Sequence, residues 1–233
     1  MELPMTDAIA SALPPFETWP SRIKALRLDP RGFPVPWFVT WFKDGNPVLP
    51  STRDAVPDFR MVQSSMVATA IRYGWCWVCG QPLGKHLAFV IGPMCAVNRT
   101  SAEPPCHLDC AEFSARACPF MSKPRMRRNY KDRPDFQDPP GKMIERNPGV
   151  ALVWVTRSFK TWRPGGRGIL FEIGEPEHLS FYAHGRTATR AEIVESIESG
   201  LPILRAEAEK DGKAALDAFA AHVEAAYRLL PPG

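Results

Sequence analysis

Six cysteines, Cys76, Cys79, Cys95, Cys106, Cys110 and Cys118, fall inside one stretch of a 233-residue chain, and two of them open Cys76-Trp77-Val78-Cys79-Gly80. A Cys-x-x-Cys followed by glycine turns sharply enough to aim both sulfurs at one point, because Gly80 tolerates the positive φ such a turn needs. Downstream, Pro104-Pro105-Cys106-His107-Leu108-Asp109-Cys110 leads into Leu108 to Ala117, which contains no helix breaker. His107 and Cys110 then stand at i and i+3 of a first helical turn and leave it on one face. Three thiolates and one imidazole at Cys76, Cys79, His107 and Cys110 make a closed tetrahedral set, the chemistry of structural zinc (Zn). Cys106 with Cys110, at i and i+4, offers an all-cysteine alternative. A redox dithiol would open a helix after a buried strand, which Gly80 and Pro82 forbid. Cys95 and Cys118 read as small buried hydrophobes.

These ligands need elements to hold them. Ser64 or Ser65 can cap a helix with apolar residues Met66, Val67, Ala70 and Ile71, ending at Gly74 and delivering the chain into the cysteine turn. Trp75 and Trp77 flank Cys76, placed to shield the metal or reach the core. Between Cys79 and His107 lie 27 residues, more than a short zinc-finger loop; Lys85 to Ile91 is a strand-like apolar run that makes room for a hairpin. Knuckle, hairpin, helix is the treble-clef order. Upstream, residues 1 to 30 read as an arm, and Val35 to Phe42 as a strand stopped by Asp44-Gly45-Asn46-Pro47.

Beyond Cys118-Pro119 comes Lys123-Pro124-Arg125-Met126-Arg127-Arg128-Asn129-Tyr130-Lys131-Asp132-Arg133, then Pro134, Pro139, Pro140 and Gly141, a stiff connection. Val150 to Val155, Ile169 to Ile173 and His178 to Ala183 read as strands of an antiparallel meander. Thr189 and Glu192 form a capping box ahead of Ile193, Val194 and Ile197. Pro202 suits the first turn of a further helix, and Leu216, Phe219, Val223, Ala226 and Leu230 mark a last amphipathic one. The fold class expected is α+β: a treble-clef-like zinc-binding module, a small antiparallel meander and C-terminal helices. The divisions are residues 1–122 with the zinc-binding core at 75–120, the basic connection 123–148, and 149–233.

The motifs Cys76-Trp77-Val78-Cys79-Gly80, Phe89 to Arg99, Ser101-Ala102-Glu103-Pro104-Pro105 with His107 and Cys110, and Cys118-Pro119-Phe120 resemble those of a group of bacterial and phage proteins. Asn147 to Trp154 and Gly174-Glu175-Pro176 are similar to the same group, and the resemblance spans about residues 31 to 205. The group brings no activity with it. The resemblance implies that His107 and Cys110 are the paired ligands and that Cys106 is a departure.

Composition bounds the function. With 45% hydrophobic residues the chain can bury a sizeable core, and 25 prolines imply long irregular connections. No run approaches the ~18 apolar residues of a membrane helix. Glu2 and Asp7 stand where a secretory leader would be basic and apolar, and clustered cysteines with metal spacing suit a reducing compartment, so a cytoplasmic protein with no membrane partner is expected.

The net charge of +4 is unevenly spread: residues 123–167 hold 12 basic and 4 acidic side chains, residues 168–233 hold 6 and 11. Lys123, Arg125, Arg127, Arg128, Lys131 and Arg133, with Tyr130 among them, suit phosphate contact and base stacking, which makes nucleic acid the first candidate partner. Arg157, Phe159, Lys160, Trp162 and Arg163 interleave cations with aromatics in the same way. A solvated loop and a meander core are the plainer readings of these two runs. A protein-interaction adaptor is the second functional reading. A nuclease-like hydrolase, with His86 as general base beside a second ion, is the third, although no further ligand cluster accompanies His86.

Overall fold

The structure is a computed structural model and describes residues 13–62, 64–122, 149–166 and 168–232. A 3-10 turn at Phe16–Thr18 and α1 (Ser21–Lys24) open it. The expected arm is docked here: Trp19 and Ile23 are buried, Trp19 meets the Phe113 ring edge-on at 5.2 Å, and Arg22 pairs with Asp109 at 3.0 Å. Strands β1 (Val39–Lys43), β2 (Asn46–Val48) and β3 (Val56–Val62) form a first sheet, in the order β2-β1-β3. Asp44 and Gly45 both have positive φ, the backbone that a two-residue hairpin turn between β1 and β2 demands. Helix α2 (Ser64–Tyr73) follows and leads into the cysteine turn.

Strand β4 (Leu87–Ile91) forms from the expected apolar run, but its main partner is remote in sequence. It pairs antiparallel with β6 (Ala151–Thr156), with Phe89 opposite Trp154 and Ile91 opposite Leu152. The hairpin foreseen between knuckle and helix is reduced to one antiparallel bridge, Ala88 with Cys106. The residues in between are occupied by α3 (Pro93–Asn98), with Pro93 in its first turn, and by β5 (Thr100–Ser101). Helix α4 (Leu108–Ala117) and the short α5 (Pro119–Ser122) complete this part.

Strand β6 is the shared wall of two cores. All six of its residues are buried, and the period-2 alternation of a strand sends them to opposite sides. Ala151, Val153 and Val155 join a cluster containing Cys76, Cys110, Ala111 and Phe113. Leu152 and Trp154 join another with Phe89, Phe171, Ile193 and Ile197. Burial on both faces explains why this segment reads as an unbroken apolar run, each large side chain contributing about 1.5–3 kcal/mol.

The other strands are β7 (Phe159–Trp162), β8 (Leu170–Ile173), β9 (His178–Ala183) and β10 (Arg186–Thr187). The simple meander expected of this region is not the arrangement found. Strand β9 pairs with β6 in the order β10-β9-β6-β4, whereas β8 pairs with β7 and β5 in a separate sheet ordered β5-β8-β7. The physical reason is burial: Phe171 faces Phe89 and Phe159 across the second core, where it is fully covered.

Helix α6 (Arg190–Glu198) starts with the predicted capping box, and α7 (Leu201–Lys210) and α8 (Lys213–Arg228) pack together, α8 also against α3. The molecule is a mixed α and β fold with antiparallel sheets. No helix among the described residues is long and apolar enough to cross a membrane.

Candidate metal centre

The cysteine turn is closed by its own backbone. The Cys76 N–H donates to Gln81 O at 2.8 Å and the Gly80 N–H to Cys76 O at 2.9 Å. Gly80 sits at φ 71°, and a Cβ built there would stand 2.9 Å from Cγ of Trp37. That tryptophan, 39 residues before Cys76, donates its indole N–H to Cys76 O at 2.9 Å, and its backbone N–H to Val78 O. The second half of the site is tied to the first through Trp77 N–H to Pro105 O, at 3.0 Å. Trp77 itself is buried and stacks on Phe38 with ring centroids 4.3 Å apart.

His107 is the N-cap of α4, just outside the helix, and Cys110 lies in its first turn. The His107 backbone N–H donates to Cys76 Sγ at 3.3 Å. The imidazole reaches Pro82 O with Nε2 at 2.9 Å. A carbonyl can only accept, so this bond puts the proton on Nε2 and leaves the Nδ1 lone pair free to bind a cation. Nδ1 lies 3.4 Å from Cys79 Sγ, close to the ~3.5 Å edge of a tetrahedron built on Zn–S and Zn–N bonds.

The ligand atoms of Cys76, Cys79, His107 and Cys110 all lie within 4.8 Å of one another, with three of the residues buried and Cys79 half-buried. Such a set can hold a metal ion. Cys106, the sequence's rival to His107, stands outside this group, although it is buried and close enough to Cys76 to help hold that thiol's pKa down.

Charge favours a cation in the middle. Hydrogen bonds from Cys106, Cys110 and Cys79 hold the Cys76 thiol well below its ordinary range. Cys110 is driven up, by its bonds to Cys76 and Cys79 and by burial. Cys79 is pushed up to about 11: the bond with Cys110 opposes the rise, and the bond with Cys76 together with burial outweighs it. Among protein groups alone, one thiolate on Cys76 discourages the next. A divalent cation supplies the charge that lets three thiolates coexist.

The other candidates are dispersed. Cys95 and Cys118 are half-buried and belong to no ligand group among the described residues. His86 Nδ1 lies 2.9 Å from Glu177 Oε2, and Glu177 also pairs with Arg157 at 2.6 Å, all partly exposed. Among the described residues no second cluster of His, Cys, Asp or Glu has metal-ligand geometry. A cavity of about 220 Å³ beside the knuckle is lined by residues such as Ile71, Trp75, Leu83, Pro105 and Phe159, and no acid, base or nucleophile is among them. Lys123, Arg125, Arg127, Arg128, Lys131 and Arg133 lie outside the described residues.

Sequence reasoning missed Trp37 and Pro82, which position Cys76 and His107. Pro82 carried a local signal, following Cys79-Gly80-Gln81; Trp37 carried none. The chain matches no protein-family model, no curated protein and no solved structure.

Proposed function

We propose that the protein is a zinc-stabilised binding protein of treble-clef type, in which the ion holds the knuckle against α4 and residues 123–133 contact nucleic-acid phosphates. The observation that carries the reading is the converging Cys3His set, with His107 Nδ1 freed for a cation by its Nε2 bond to Pro82. Three thiolates and an imidazole suit zinc better than magnesium or calcium, which take oxygen ligands. All four protein groups fill the tetrahedron, which leaves no open position for a catalytic water. The motif resemblance to bacterial and phage proteins supports the same ligand set.

In the sequence the basic segment begins at Lys123, directly after α5. Replacing Arg125, Arg127, Arg128 and Lys131 together by Ala is expected to weaken binding to duplex and single-stranded nucleic acid across all sequences. It should also flatten the salt dependence by about 0.9 per lost duplex phosphate contact. Zinc content and thermal unfolding should stay as in the wild type. Wild-type protein that binds no nucleic acid at low salt removes this reading and puts the protein-interaction adaptor in front; the acidic 168–233 region motivates that alternative.

A further inference from the structure

We infer that the exposed face of β7 is a second contact for nucleic acid, a stacking platform for single strands built on Trp162 with Lys160 and Arg163. Among the described residues, strand β7 stands at the edge of its sheet and pairs only with β8. Phe159 turns inward and meets the rings of Phe89 and Phe171. Lys160, Thr161 and Trp162 are exposed, as is Arg163 after them. Trp162 is 48% exposed, while Trp19, Trp41, Trp77 and Trp154 are all buried. An indole left in water forgoes a large burial term, which makes its exposure informative.

Lys160 and Trp162 are at i and i+2 and so share one face of the strand. Among the described residues, neither the Lys160 nor the Arg163 side chain makes an ion pair or hydrogen bond, although Glu172 lies opposite Lys160 across the β7–β8 ladder. Two free cations flanking an exposed indole are the minimal elements of sequence-tolerant single-strand binding: the indole stacks on a base and the cations hold the phosphates on either side. A duplex, whose bases are already stacked, cannot use the indole. The inference rests on the nucleic-acid reading above but concerns different residues, and the two separate by substrate.

The test is fluorescence anisotropy of a labelled oligothymidylate and of a labelled duplex. Trp162→Ala is expected to weaken single-strand binding roughly tenfold or more, with Trp162→Phe retaining most of it and duplex binding unchanged. Lys160→Ala combined with Arg163→Ala should lower the single-strand salt slope by roughly 1.4, for two phosphate contacts. These side chains are exposed, so thermal unfolding checks that each variant is folded. Single-strand binding that is the same in Trp162→Ala as in the wild type overturns the inference even if the basic-segment variant loses affinity. Loss with Trp162→Ala but not with the basic-segment variant supports it and removes the segment instead. A wild type that binds neither probe but retains a protein partner lost on Trp162→Ala overturns it in favour of a protein contact.

Discussion

His107 and Cys106 are neighbours in sequence with opposite duties. His107 brings Nδ1 to 3.4 Å from Cys79 Sγ, while Cys106 stands outside the ligand group and its backbone bridges to Ala88 in both directions, at 2.7 and 2.9 Å. His107→Ala is therefore expected to lose the metal, measured as zinc per chain by elemental analysis of protein purified without chelator. Cys106→Ser should keep it, because the backbone bridge survives and serine can still donate to the Cys76 sulfur. Full zinc in His107→Ala and none in Cys106→Ser would falsify the ligand set. Gly80 makes the second test at this scale. Alanine there meets both an unfavourable positive φ and the Trp37 ring, so Gly80→Ala should cost about 1–3 kcal/mol, read from chemical denaturation, with faster zinc transfer to a chromogenic chelator.

Among the elements, α6 carries the clearest local device. The Thr189 side chain accepts from Glu192 N, and Glu192 answers to the Thr189 backbone N–H at 2.8 Å. Thr189→Ala should cost about 1 kcal/mol in denaturant unfolding. Hydrogen bonding from Arg186 and then from Thr189 N–H brings the Glu192 carboxyl down to about 2. A depressed carboxylate stabilises the fold above its ordinary value of 4.5, and that contribution is lost as pH falls toward about 2. Glu192→Gln keeps the cap but not the charge. Its stability deficit should accordingly be largest near neutral pH and close as melts are taken to lower pH; a constant deficit would show that the charge contributes nothing.

At the scale of the molecule, β6 packs against both the cluster that could hold a metal and the second core. Its Ala151, Val153 and Val155 side chains pack with the cluster that includes Cys76 and Cys110, and Leu152 and Trp154 lie on the opposite side. Removing the metal by chelation should thus loosen both faces, seen as loss of near-ultraviolet dichroism from the buried Trp77 and Trp154 together. A third of the roughly 10–16 kcal/mol that zinc supplies to small zinc modules would lower Tm by roughly 10 °C or more in a chain of this size. Release should be steeper in acid, since protons compete for the three thiolates. Two well-separated melting steps on zinc removal would show that β6 does not couple the cores.

The sequence by itself determined what is local. The spacing of Cys76, Cys79, His107 and Cys110, the Gly80 turn, the Thr189 cap and the strand at Ala151 to Thr156 each depend on a few adjacent residues whose backbone or side-chain preferences act over one turn or one strand. Only the tertiary structure decided which strands meet. Residues 87–91 present an apolar run that satisfies equally well a local hairpin or a partner more than sixty positions away, and a strand's own pattern cannot name its neighbour. The placement of His107, rather than Cys106, in the cluster that could hold a metal was of the same kind. Both side chains can bind metal, and what turned one inward was the carbonyl of Pro82 and the bridge to Ala88, contacts 25 and 18 residues distant that exist only once the chain has closed on itself.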